Sequence, residues 1–289
     1  MNWNAGCRTL TVRDELQATD LVVQFLYPTR AAEHDEAFGP FRLPLARDAP
    51  IEGRAHSLIV ISHGTGGTPW THRGLAAHLA RSGFAVALLQ HPGNHRGDDS
   101  LAFTVQNLEN RPRHVRLAID AALADEHVSR GGVGVIGHSL GAYTALAVAG
   151  GQPTAFPRET PEGQSRVLHI PRDPRVRALV LLAPATAWFK DEGALDEVDV
   201  PILMLTGELD LLAGPFHAQI VERGLGDASR LEHRVIERAG HYSFLSAYPP
   251  EQKSAALPPS QDPEGFDREA FLPGMYAQIV EFFTRSLEA

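Results

Sequence analysis

The segment that most constrains the fold is Gly137-His138-Ser139-Leu140-Gly141, a GxSxG pentapeptide that the apolar run Gly132-Val133-Gly134-Val135-Ile136 enters and a small-residue helical stretch leaves. A strand that turns into a helix this tightly has no room for side chains at the turn. The two glycines let strand and helix close, and the serine backbone is strained. Ser139 is then lifted into the open at a strand end. The amides after it stand at a helix N-terminus, where partial positive charge favours a developing anion. Alone, the pentapeptide is a common pattern, and Ser139 could equally be an N-cap at an ordinary strand-to-helix turn. The rest of the chain decides between the two.

A chain of 289 residues, 43% hydrophobic and 21% charged, suffices for one large α/β domain or two small ones. Proline and glycine are spread along it and no repeat or low-complexity tract marks a boundary, so a single domain over residues 1–289 is expected. The net charge of −9, with no cluster of Lys and Arg, argues against a nucleic-acid partner. The stretch from Met1 to Arg8 has no basic segment followed by an apolar one, and no later run reaches the length of a membrane span. The expectation is a cytoplasmic protein without stable membrane association. The single cysteine, Cys7, fits a reducing compartment.

Residues 9–14 and 20–27 carry β-branched side chains between turn formers and predict two antiparallel strands at one sheet edge. Residues 28–56, rich in Pro, Arg, Asp and Glu without a steady period, predict a surface connection with at most one short helical piece. Continuous apolar runs at 57–61, 84–90, 133–136, 176–182 and 201–206, with 231–236, predict further strands. Helical spacing at 71–82, 105–125, 140–149, 214–223 and 271–287 alternates with them. Residues 150–174 form a Pro/Gly-rich excursion. This alternation implies a mostly parallel central sheet with helices on both faces, and in such sheets ligands sit at the strand C-terminal ends.

A serine hydroxyl is a weak nucleophile at neutral pH, so Ser139 needs a base and a carboxylate to orient that base, in the chain order Ser, Asp or Glu, His. Gly207-Glu208-Leu209-Asp210 follows the strand at 201–206, and Gly240-His241-Tyr242-Ser243 follows the strand at 231–236. Asp210 is the preferred acid, with Glu208 its rival and Asp191, Glu192 and Asp196 more distant options. His241 is the preferred base, since His217 falls in a helix pattern and His233 in a strand pattern. Backbone donors for an oxyanion are expected from the amide after the nucleophile, Leu140, and from Thr65 in Ser62-His63-Gly64-Thr65-Gly66-Gly67, a glycine-rich loop after an earlier strand. That loop lacks the Gly-Lys-Ser/Thr ending of a phosphate cradle. His91 and His95 with Asp98 and Asp99 are a weak metal alternative without further ligand spacing, so no metal is expected. His91, Trp188, Tyr242 and Phe244 are candidates for the pocket wall, which is to be assembled from loops 150–174, 185–199 and 248–266 in the absence of a lid-sized insertion.

Together the elbow, the loop SHGTGG, Gln90-His91-Pro92-Gly93-Asn94, Leu182-Ala183-Pro184-Ala185, Gly207-Glu208-Leu209-Asp210 and Ala239-Gly240-His241-Tyr242-Ser243-Phe244 resemble α/β-hydrolases. Within that fold the chain is similar to predicted dienelactone hydrolases related to platelet-activating-factor acetylhydrolase, from about Asp20 onward. The resemblance implies an α/β-hydrolase fold, a triad of Ser139, Asp210 and His241, an oxyanion hole at Thr65 and Leu140, and ester hydrolysis without metal or cofactor. Dienelactone hydrolases proper carry a cysteine where this chain has Ser139, so that family name does not carry its activity over. The expected substrate is a small-molecule carboxylic ester or lactone of small to medium size, cleaved through an acyl-enzyme. The alternatives are an acyltransferase or amide hydrolase with the same triad, and a non-catalytic binding protein, which a missing triad member would reveal.

Overall fold

The computed structural model describes residues 3–287; Met1, Asn2 and residues 288–289 lie outside the described residues. The strands, in chain order, are β1 (Asn4–Asp14), β2 (Thr19–Thr29), β3 (His34–Phe38), β4 (Phe41–Arg47), β5 (His56–Ser62), β6 (Ala85–Leu89), β7 (Val128–His138), β8 (Thr154–Ala155), β9 (Arg166–Val167), β10 (Val176–Leu182), β11 (Ile202–Gly207) and β12 (Leu231–Ile236). The helices are α1 (Arg73–Arg81), α2 (Val105–Ala122), α3 (Leu140–Val148), α4 (Pro215–Gly224) and α5 (Arg268–Leu287). Ten strands form one sheet in the order β12-β11-β10-β7-β5-β6-β2-β1-β4-β3, while β8 and β9 pair separately.

From β12 to β6 the neighbours are all parallel, and β2 then runs antiparallel to both β6 and β1. The apolar runs are continuous because successive residues enter two different cores. Leu58 and Val60 of β5 pack with α2, α3 and α4, whereas Ile59 and Ile61 pack with α1 and α5. Each such side chain, fully withdrawn from water, contributes roughly 1.5–3 kcal/mol. Helix α3 is buried at every position, which its largely apolar sequence permits, with the Tyr143 and Thr144 hydroxyls hydrogen-bonded. The architecture is the α/β-hydrolase fold, a mostly parallel sheet coated on both faces, with no large lid among the described residues.

One region departs from expectation. Residues 28–56 are not an irregular connection with a short helical piece; they contain the β3–β4 hairpin, which extends the sheet beyond β1. Phe41, Leu43 and Leu45 carry a period of two that the intervening Arg42 and Pro44 disguise. Pro44 is tolerated because β4 pairs with β1 only at Ala46 and Arg47, leaving an edge at the proline. The turn, Gly39-Pro40, needs the left-handed backbone of Gly39 at φ 58°. It is held on the body by Phe38, stacked 4.0 Å from Trp70, and by the Arg73 guanidinium 3.9 Å above the Phe41 ring.

The sheet order also explains where a site can form. β5 and β7 are neighbours, but the chain leaving β5 runs through α1 to β6 on one side, and the chain leaving β7 runs through α3 to β10 on the other. Their C-terminal loops diverge and open a crevice between them.

Candidate active site

Ser139 sits in that crevice with φ 54° and ψ −119°, a conformation that non-glycine residues rarely hold. The glycines around it are there for space. A Cβ on Gly137 would lie 2.1 Å from the Gly141 carbonyl oxygen, and one on Gly141 would lie 2.0 Å from that of Ser62. Either contact is impossible without moving backbone, so strand, helix and the loop after β5 close on one another only with glycine there.

The expected carboxylate and imidazole meet. Asp210 Oδ2 accepts a hydrogen bond from His241 Nδ1 at 2.8 Å, with the Asp210 side chain 0% and the His241 side chain 7% exposed. Asp210 Oδ1 accepts from the amides of Leu212 and Ala213 at 2.8 and 2.7 Å. Burial alone would raise the Asp210 pKa. The bond and charge of His241 and the two amides outweigh it and hold the carboxyl below its ordinary value. Glu208, the rival acid, is exposed and accepts from the Arg238 amide at 2.8 Å. Asp191, Glu192 and Asp196 are also exposed.

The histidine of the elbow has a task of its own that the sequence did not signal. His138 Nε2 donates to the His241 carbonyl oxygen at 2.9 Å, which holds the backbone of the base. Burial, then the neighbouring His241, pushes the His138 pKa well below its usual value, so it is neutral. The rings of His138 and His241 lie 5.0 Å apart. His72 is 5.6 Å from His138 on the other side, and both its ring nitrogens lack a partner among the described residues.

The loop after β5 lies directly on the elbow, since a Cβ on Gly64 would fall 3.0 Å from Ser139 Cβ. The Thr65 amide has no acceptor among the described residues, and the Leu140 amide, first of α3, has none within the helix. Ser139, His241, Thr65 and Gly64 all line one cavity of about 1150 Å³. Its walls are largely apolar and aromatic, including Phe38, Phe41, Trp70, Phe103, Tyr242 and Tyr248. Among the described lining residues Arg96 is the single Lys or Arg, and none is an Asp or Glu.

Of the four pocket candidates, only Tyr242 lines this cavity. His91 is fully buried and bonded to Ser62 Oγ and His114 Nδ1. Phe244 is buried in the core against α5. Trp188 donates its indole N–H to the Glu159 carboxylate at 2.9 Å and packs on Tyr143, so it fastens the excursion to the body. Loop 248–266 does contribute wall through Tyr248, Gln252, Leu257 and Pro259, loop 185–199 contributes only Ala185, and loop 150–174 contributes nothing. The hairpin turn takes their place, and its period of two was the signal available in the sequence. Among the described residues no group of three or more His, Cys, Asp or Glu is placed to hold a metal, and no helix is long and apolar enough to cross a membrane.

A family model described as serine aminopeptidase, S33, matches residues 53–158, the span from just before β5 to the start of the excursion. No curated protein sequence matches the chain. Among solved structures, a ferulic acid esterase from Streptomyces cinnamoneus is 19% identical, with 100% of this chain and 91% of that one covered, at a TM-score of 0.71. A dienelactone hydrolase-like promiscuous phosphotriesterase from metagenomic libraries is 17% identical, with 98% and 99% covered and a TM-score of 0.64. A dienelactone hydrolase from Anabaena variabilis is 15% identical over 98% and 99%, at a TM-score of 0.55. At such identities the likeness is one of fold, and the fold is that of the α/β-hydrolases.

Proposed function

We propose that the protein is a serine hydrolase that cleaves carboxylic esters through an acyl-enzyme. The observation that carries this reading is the buried Asp210–His241 pair opening onto the same cavity as the strained Ser139. In this reading His241 Nε2 takes the Ser139 proton as Oγ attacks the ester carbonyl, and Asp210 holds the imidazolium that results. The amides of Thr65 and Leu140 receive the oxyanion. Collapse expels the alcohol with the proton from His241, and His241 then activates the water that releases the acid. Ser139 and His241 line the same cavity, and hydrogen bonds between such partners tighten when substrate is bound.

Esters are favoured over aminopeptidase substrates because an N-terminal ammonium needs a carboxylate, and the described cavity wall carries none. The esterase and dienelactone hydrolase-like structural neighbours agree with that choice. The cavity, somewhat larger than the roughly 300–1,000 Å³ usual for small-molecule sites, accepts small to medium esters or lactones and leaves room for an aromatic acyl group. We read the chain as one domain that binds a small molecule. Its single cysteine, Cys7, suits a cytoplasmic setting.

The test is a panel of p-nitrophenyl esters and lactones with wild type and Ser139→Ala. Turnover that disappears in the variant supports the reading, and turnover that survives rejects it.

A further inference from the structure

Arg111 of α2 is the largest fully buried side chain among the described residues, at 0% exposure, and none of their carboxylates forms an ion pair with it, although Asp99, which accepts from Asn94 Nδ2, is near enough to act on its charge. A guanidinium withdrawn from water without a counter-ion is costly unless its N–H groups are all used. Arg111 directs four of its five N–H groups to the walls of the site. Nε donates to Thr144 Oγ1 of α3 at 3.0 Å, and Nη1 to Asn94 Oδ1 at 2.6 Å. Nη2 donates to Ser62 Oγ at 3.2 Å and makes a close hydrogen bond to the His63 carbonyl oxygen. One side chain thus joins the helix that follows Ser139 to the first residues of the loop that carries Thr65.

That loop is then fixed peptide by peptide. Gly64 O accepts from His63 Nδ1 at 2.7 Å and from the Gly67 amide at 3.1 Å. Because a trans peptide is planar, pinning the Gly64 carbonyl turns the Thr65 N–H to the opposite side. Behind it runs a chain of histidines whose tautomers the partners decide. Gln17 Nε2 donates to the Pro92 carbonyl, so its Oε1 accepts from His114 Nε2. His114 Nδ1 must then accept from His91 Nδ1 at 3.0 Å, and His91 Nε2 from Ser62 Oγ at 2.9 Å. Ser62 Oγ in turn accepts from Arg111, which can only donate. Every link is satisfied with His63, His91 and His114 neutral, and burial lowers the pKa of all three. Arg111 is the one positive charge in the network, and it stands against the loop that receives the oxyanion.

We propose that Arg111 is a positioning residue for the oxyanion hole: it fixes the Ser62–His63 end of the loop over the elbow and keeps a buried positive charge, only partly offset by Asp99 behind Asn94, against that loop. The proposal rests on Ser139 being the nucleophile. It is tested with Arg111→Met, Arg111→Lys and Thr144→Val, measuring kcat and KM on p-nitrophenyl acetate and Ki for phenylboronic acid, whose adduct on a serine is tetrahedral and anionic.

Transition-state analogues report interactions that the ground state lacks. Arg111→Met is expected to lower kcat on the order of tenfold to a hundredfold with KM unchanged, and to raise the boronate Ki by the same factor. Arg111→Lys restores part of both. Thr144→Val, which keeps the shape and removes the bond from Arg111 Nε along with the hydroxyl's own bond to the Leu140 carbonyl, moves both about threefold in the same direction and serves where Arg111→Met does not fold. A residue that only supports the fold would reduce the yield of folded enzyme and leave kcat and Ki per folded molecule unchanged. Unchanged values in a folded variant, with Ser139→Ala inactive, overturn the role of Arg111 alone. Turnover surviving in Ser139→Ala overturns the reading beneath it.

Discussion

Glu208 and Asp210 lie on one short turn after β11, yet the backbone sends them to different places. Glu208 faces solvent and caps the Arg238 amide, while Asp210 turns inward to two amides and His241. Composition could not separate them, because either carboxylate in that turn satisfies the chain order of a triad. What separates them is which peptide planes point inward, a property of the folded turn. Asp210→Asn is expected to lower kcat on the order of 10³- to 10⁴-fold, because an amide leaves the imidazole in the wrong tautomer, whereas Glu208→Gln leaves kcat unchanged. Steady-state kinetics of the two variants distinguish them, and equal losses would reject the assignment. The placement of Ser139, His241, Thr65 and Leu140 in loops after strands was legible, because each follows an apolar run in a fixed order. His91, Trp188 and Phe244 were misplaced because nearness in sequence to a strand end does not say which way a side chain points.

At the scale of elements, the buried strands and the amphipathic helices announced themselves, since burial on two faces demands long apolar runs and burial on one demands helical spacing. Their ends shifted by a few residues: α2 stops at Ala122 and β7 begins at Val128. The β3–β4 hairpin did not announce itself, because charged residues are interleaved with its apolar ones and its stabilising partners, Trp70 and Arg73, come from a distant segment. That hairpin brings Phe38 and Phe41 to the cavity wall, so it belongs to substrate recognition as much as to the sheet. Phe38→Leu keeps an apolar side chain at the cavity wall but removes the ring on which an aromatic acyl group would stack, a contribution of about 0.5–1.5 kcal/mol. KM for an aromatic acyl ester should therefore rise about three- to tenfold, with kcat on p-nitrophenyl acetate unchanged. A KM that stays constant would mean that the acyl group lies elsewhere.

For the molecule as a whole, the buried histidines around the crevice set an acid limit on stability. His72 stays neutral in the folded protein down to about pH 4 because burial lowers its pKa, and His63, His91, His114 and His138 shift the same way. In the unfolded chain each takes up a proton near pH 6.5. The stability that their neutral burial permits is complete above about pH 6.5 and falls as pH drops toward 4, by up to about 1.4 kcal/mol per pH unit for each histidine. His72, with no partner for either ring nitrogen among the described residues, is the one to remove. The melting temperature of His72→Phe should decline less between pH 7 and pH 5 than that of wild type, and equal declines would contradict the assignment. All of this surrounds one hydroxyl, and the most direct measurement is intact-mass and peptide mapping after reaction with a fluorophosphonate. A single adduct on Ser139, absent from Ser139→Ala, is the predicted result, whereas an adduct on another residue, or labelling that persists in Ser139→Ala, contradicts the account.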